Sequence, residues 1–285
     1  MRERPIDLCD PATLHAVARR VGLVARRGLG QNFLVDRSVL DSIVAALDPG
    51  PGDEVFEVGP GVGTLTAELA ARAARVVAVD LDERCVAATR LTQRGRLNVD
   101  VRQGDALLVQ PRELGLGDRW LAAGNIPYRI TTPLLTRLFE MDRPPLRGVF
   151  LVQREVAARL AAAPGGWGVA TVAVRSLASV ERLRDVPPAS FDPPPNVHSS
   201  VIRLRPSPAL DAGARVAVLD VARAAFQMRR KTLRHGITHA AGGDARRGLA
   251  WLEAAAVDPG RRPETLDLEE WGRIAVAART LPGQP

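Results

Sequence analysis

Flat side chains and lysine are both scarce in this chain. Among 285 residues there are six phenylalanines, four tryptophans and one tyrosine, Tyr128. Of the 39 basic residues only Lys231 is a lysine, which reflects a coding preference for arginine more than a demand for guanidinium chemistry. The net charge of +7 and the pI near 10.8 do not depend on that preference, and they point to a polyanionic partner. Cysteine is nearly absent: Cys9 and Cys85 stand far apart and match no ligand spacing, which argues against a disulfide framework and a metal site. No apolar run reaches the ~20 residues of a membrane span, and the opening MRERPIDLCD has no apolar centre. The expectation is a soluble, unexported, cytoplasmic protein with no membrane partner.

What is present is ordinary core material. With 46% hydrophobic residues the chain can bury a full interior, and its length suits two domains at about 150 residues each. After the turn DPGPGD, the short valine-rich or apolar segments EVFEVG, RVVAVD, NVDVRQGD, RWLAAGN and RGVFLVQ read as strands. TLTAELAARAA, DERCVAATRLTQ and TTPLLTRLFE lie between them and read as helices. Strands alternating with helices imply crossover connections and a parallel sheet covered on both faces. ASVERLRDV and VHSSVIRLR predict later strands, a hairpin closing one edge, joined through the stiff PPASFDPPP loop. Beyond RPSPALDAGA only helical segments follow. The expected architecture is a doubly wound, Rossmann-like α/β sheet over residues 1–206 and a smaller all-helical C-terminal domain over 207–285, with residues before about Arg20 loosely attached.

Between the first strand and its helix, FEVGPGVGTLT places Gly59, Gly61 and Gly63 where backbone can approach a ligand closely. A dinucleotide fingerprint would carry its third glycine at position 64, where Thr64 stands, and this argues against a nicotinamide dehydrogenase. Asp80 ends the next strand, 21 residues after Gly59, where a carboxylate can accept ribose hydroxyls. Asp105 ends the third and can receive the exocyclic amine of an adenine. A ligand with ribose and adenine but no pyrophosphate suits this pattern, and S-adenosylmethionine is the candidate. Glu57 either contacts the cationic part of that ligand or orients the loop.

The single tyrosine lies in AGNIPY, residues 123–128, directly after an amide and a proline. Together they can grip a planar, polar ring. The segments GQNFLVD, EVGPGVGTLT, GNIPY, FDPPPNVHSSVIRL and FQMRRKTLR, in that order, resemble the ribosomal RNA adenine dimethyltransferases, with DPGRRPETLDLEEW closest to the small-subunit branch. The resemblance covers the chain from about Arg26 to the last helices. It implies that Asn32 and Leu34 border the cofactor with Gly59, Gly61, Asp80, Asp105 and Asn125. It implies also that Asn125 and the Ile126 carbonyl, restrained by Pro127, accept the hydrogens of a target amine. Tyr128 and Phe191 would stack on the two faces of an extruded base, the Tyr128 ring rather than its hydroxyl carrying the role. Asn196 and His198 depart from the usual lysine and acid of that motif.

The stretch RAAFQMRRKTLR carries Arg223, Arg229, Arg230, Lys231 and Arg234 without an acid, a candidate phosphate-binding helix face. The implied function is dimethylation of adenine N6 in small-subunit ribosomal RNA, with S-adenosylmethionine as cofactor, no metal, a monomeric chain and an immature small subunit as partner. The alternatives are a resistance methyltransferase of large-subunit RNA and a non-catalytic ribosome-assembly factor.

Overall fold

The computed structural model describes residues 6–25, 31–208, 210–228 and 230–281. Along the chain run α1 (Pro11–Arg20), β1 (Phe33–Leu34), α2 (Arg37–Leu47), β2 (Glu54–Val58), α3 (Thr64–Ala70), β3 (Arg75–Asp80) and α4 (Glu83–Thr92). Next come β4 (Val99–Gln103), β5 (Trp120–Asn125), α5 (Thr131–Glu140), β6 (Gly148–Gln153), α6 (Arg154–Ala161), α7 (Val169–Arg175), β7 (Ala178–Val186), β8 (Phe191–Asp192) and β9 (Ser199–Pro206). The described chain closes with α8 (Ala212–Gln227), α9 (Leu233–Ala240), α10 (Ala245–Ala254) and α11 (Leu268–Thr280). None of the described helices is long and apolar enough to cross a membrane.

The main sheet has seven strands in the order β4-β3-β2-β5-β6-β9-β7. Strands β2 to β6 are parallel, and β9 runs antiparallel to β6. The expected edge pair is therefore present, with β9 inserted between β6 and β7. From β2 the chain steps outward to β3 and β4, then crosses back to β5 on the other side of β2. That reversal leaves a crevice at the carboxyl ends of β2 and β5, the usual ligand position in such sheets. Close pairing there depends on Gly124, because a Cβ at this position would stand 2.3 Å from the Val58 carbonyl oxygen.

Two expectations about the outline need correction. Residues before Arg20 are not loose where they are described: Asp10 caps α1, and Leu14 and Val17 are buried with Phe33, Val62, Cys85 and Ala88. The chain divides into one compact unit of Met1–Ala157 with Glu181–Pro206 and another of Ala158–Val180 with Ser207–Pro285. One of the changes between units falls at Pro206, and residues 158–180 group with the helical unit. The reason is burial: Trp167 and Val172 belong to the cluster that holds Val218, Ala222, Leu233, Ile237, Trp251 and Trp271.

Candidate active site

The loop after β2 is shaped from both sides. Gly61 adopts φ +62°, and a Cβ there would meet the Phe33 ring at 2.9 Å, so only glycine lets the loop lie against that ring. On the other side α4 holds the loop's carbonyls: Thr89 Oγ1 donates to Gly61 O at 3.0 Å, Thr92 Oγ1 to Val62 O at 2.8 Å, and Gln93 Nε2 to Gly63 O at 3.2 Å. These three residues escaped the sequence reading. Their spacing at i, i+3 and i+4 on one helix face is the signal that could have found them.

A cavity of about 230 Å³ opens at the carboxyl edge, lined by Asn32, Gly59, Gly61, Asp80, Asp105, Asn125 and Pro127 among others. Asp80 receives the Gly61 and Asp82 backbone N–H groups at 3.4 and 2.9 Å. Burial nevertheless raises its pKa to about 6, offset in part by those bonds. Asp105 accepts the Leu107 N–H at 2.8 Å through one oxygen. Glu57 is 1% exposed and does not line the cavity. Burial pushes its pKa up to about 8 against a hydrogen bond with Thr66, so it is largely protonated at neutral pH and does not offer a charge to a ligand. Cys85 does line the cavity, but burial first, and Asp80 and Asp82 after it, push its thiol far above the usual range. It is a poor nucleophile there.

At the end of β5, Asn125 donates its amide to the Asn32 carbonyl at 2.8 Å. This fixes the amide plane and assigns the nitrogen, so Oδ1 remains as the acceptor. Ile126 is 1% exposed and its N–H donates to Leu151 O at 3.2 Å, which anchors the backbone just before Pro127. Tyr128 begins a single 3-10 turn, is half-buried, and lies beside rather than within the cavity wall. Its hydroxyl is 2.7 Å from Ser199 Oγ. Gln31, Phe33 and Arg129 also line the cavity and were not foreseen.

Leu34, Phe191 and the basic stretch do not stand where the sequence suggests. β1 pairs with β8 so that Leu34 faces Phe191. Both side chains enter the core cluster with Leu40 and Val201, Phe191 being 3% exposed. Leu34 therefore does not line the cavity, while its neighbour Phe33, on the opposite face of the strand, does. Phe191 is a core residue in this structure and offers no face to a base. The basic stretch is not one helix face either. α8 ends at Gln227, and α9 begins after the extended residue Thr232. Arg223 lies on α8 beside Asp220 at 3.4 Å, Arg230 and Lys231 are exposed in the turn, and Arg234 is exposed on α9. Arg229 lies outside the described residues.

With its cavity at the switch point of a Rossmann-like sheet and a half-buried acid at the end of the second parallel strand, the molecule falls in the class of S-adenosylmethionine-dependent methyltransferases. Residues 22–274 match the family model described as ribosomal RNA adenine dimethylase. The ribosomal RNA small subunit methyltransferase A of Pelotomaculum thermopropionicum is 40% identical over 98% of this chain and 100% of its own length. That of Anaeromyxobacter sp. (strain K) is 42% identical over 93% and 96%. Among solved structures, the 23S rRNA methyltransferase ErmE has a TM-score of 0.68 at 27% identity, covering 87% of this chain and 100% of its own. A dimethyladenosine transferase from Plasmodium falciparum has a TM-score of 0.72 over 87% and 98%; at 23% identity it bears on the fold alone. The chain belongs to the ribosomal RNA adenine dimethylase family.

Proposed function

We propose that the protein transfers methyl groups from S-adenosylmethionine to N6 of adjacent adenines in a loop of small-subunit ribosomal RNA, giving N6,N6-dimethyladenine as the subunit matures. The observation that carries this reading is the Asn125 amide, pinned by Asn32 at the edge of the cavity with its acceptor oxygen uncommitted. An adenine amine is a weak nucleophile because its lone pair is delocalised into the ring. Acceptors at Asn125 Oδ1 and the Ile126 carbonyl would each take one amine hydrogen and favour a pyramidal nitrogen, with Pro127 holding the backbone extended.

The cofactor fits the residues present. Gly61 lets the loop lie against the Phe33 ring on the cavity wall, and Asp80 is a half-buried acid on that wall held by backbone N–H groups and the Cys85 thiol. Ionised Asp80 would accept the ribose hydroxyls, and the second oxygen of Asp105 the adenine amine. Asn32, Gly59 and Gly61 would border the remainder. When bound, S-adenosylmethionine supplies an electrophilic sulfonium methyl. Holding a nucleophile in line with it contributes about 7–11 kcal/mol through orientation, so no acid or base of high strength is required. Tyr128 would stack on the extruded base, worth about 1–3 kcal/mol. Arg230, Lys231 and Arg234 would contact phosphates, with the protein acting as a monomer on an immature subunit.

The small-subunit choice draws support from identities of 40% and 42% to small-subunit enzymes against 27% to the 23S enzyme. Mapping methylated adenines in both ribosomal RNAs from cells lacking the protein tests it. Loss of dimethyladenine from the small-subunit RNA alone is the expected outcome; loss from the large-subunit RNA would replace this reading.

A further inference from the structure

The segment FDPPPNVHSS reaches the candidate site by a route other than its aromatic residue. Asn196, Val197 and His198 are exposed, and then the chain enters β9 at Ser199, which is fully buried. Because β9 runs antiparallel to β6, its first residue pairs with the last residue of that strand, Ser199 opposite Gln153. An antiparallel strand thus delivers its start to the edge where the parallel strands deliver their ends. The His198 carbonyl accepts the Arg154 N–H at 2.9 Å and fixes the entry point. Alternation along β9 then separates two hydroxyls: Ser200 Oγ donates to Asp185 at 2.6 Å, while Ser199 Oγ meets the Tyr128 hydroxyl at 2.7 Å.

Tyr128 needs such a tether. It sits in one 3-10 turn whose other residues, Arg129 and Ile130, are exposed and half-buried, and none of the three is buried. A hydrogen bond at the far end of the ring, to a side chain fixed in a strand, limits the rotamers open to it. Burial raises the tyrosine pKa, so the hydroxyl stays protonated and the bond persists at any pH at which the protein would act.

We infer that Ser199 is a positioning residue for the methyl transfer: its hydroxyl holds the Tyr128 ring at the angle at which the target adenine stacks. The inference rests on the proposed stacking role of Tyr128. It also revises the expectation that only the ring matters, since Tyr128→Phe removes the tether from one side as Ser199→Ala does from the other.

The test is a double-mutant cycle read by single-turnover methyl transfer, with 2-aminopurine replacing the target adenine in a parallel fluorescence measurement. Ser199→Ala and Tyr128→Phe should each slow transfer by roughly two- to tenfold, the worth of one neutral hydrogen bond. The double variant should be no slower than either single one, because both remove the same bond. Base-stacking quenching should weaken in all three, cofactor affinity should hold, and Ser199→Thr should restore both rate and quenching. Multiplying effects in the double variant, a wild-type rate in Ser199→Ala, or failure of Ser199→Thr to restore would overturn the inference. If Ser199→Ala does not fold, Tyr128→Phe and Ser199→Thr decide it alone: undiminished transfer and quenching in the former, or impairment in the latter, would count against the tether. Tyr128→Ala separates the two levels. Normal transfer and quenching in that variant would remove the stacking role itself, whereas an inactive Tyr128→Ala beside a normal Ser199→Ala would remove only the role of Ser199.

Discussion

The loop that follows β5 and the loop that precedes β9 both end at the carboxyl edge of the sheet, yet they treat their distinctive residues in opposite ways. The first leaves Asn125 on the cavity wall and Tyr128 half-exposed beside it. The second turns Phe191 inward, where β8 pairs with β1, and brings only a serine hydroxyl to the edge. In the proposed function one loop presents chemistry and the other supports it. The difference follows from backbone pairing: Asn125 is the last residue of β5, one past the point where the neighbouring β2 ends, while Phe191 lies within a short antiparallel pair that directs it into the core. Two acids of neighbouring strands repeat the contrast, half-buried Asp80 lining the cavity and buried Glu57 kept out of it.

Asn125→Ala gives the largest expected effect. Losing an acceptor aimed at the reacting nitrogen should lower single-turnover transfer by about two to three orders of magnitude with RNA affinity almost unchanged. A loss below tenfold would erase the difference between the loops. Phe191→Ala should cost about 3–5 kcal/mol of stability, read by denaturant unfolding, while Phe191→Leu should fold and transfer methyl groups at near the normal rate. Strong impairment of a stable Phe191→Leu protein would return Phe191 to the base.

The acids sharpen the same contrast through pH. In the free protein Asp80 titrates near 6, and a ligand that hydrogen-bonds to its ionised form lowers that value. Cofactor affinity should therefore fall as pH drops through about 6, by about tenfold per unit until the bound-state value is reached. Calorimetry on Asp80→Asn should show weak, pH-independent binding, and Glu57→Gln should bind normally. Glu57 instead governs stability: its folded pKa lies above the unfolded one, so the native state holds an extra proton and loses stability as pH rises from 4.5 to about 8. Glu57→Gln should flatten that decline. The smallest effect concerns the turn between α8 and α9. Reversing Arg230 and Lys231 to Glu should reduce the salt slope of RNA binding by about two if each contacts one phosphate, leaving cofactor affinity in place.

The sheet, the glycine loop and the positions of Asp80, Asp105 and Asn125 were legible because each depends on local order: a strand, a turn, an acid at a strand end. Phe191 and Leu34 were misread because the β1–β8 pairing joins segments more than 150 residues apart, and no local pattern records which face such a pair turns inward. The grouping of residues 158–180 with the helical unit is likewise a long-range packing outcome, driven by Trp167. The basic stretch looked continuous because Met228 to Lys231 contains no glycine or proline. The break at that point is made by the extended Thr232 and by close packing at Gly236, where a Cβ would stand 3.1 Å from the Ala225 carbonyl.

The most direct test incubates the purified protein and its Asn125→Ala variant with S-adenosylmethionine and either immature small-subunit particles or large-subunit RNA, followed by mass spectrometry of digested RNA. The expected result is N6,N6-dimethyladenine at adjacent positions of the small-subunit RNA only, made by the parent protein and not by the variant, although both bind cofactor and RNA. Methylation of the large-subunit RNA, or equal product from Asn125→Ala, would contradict the account.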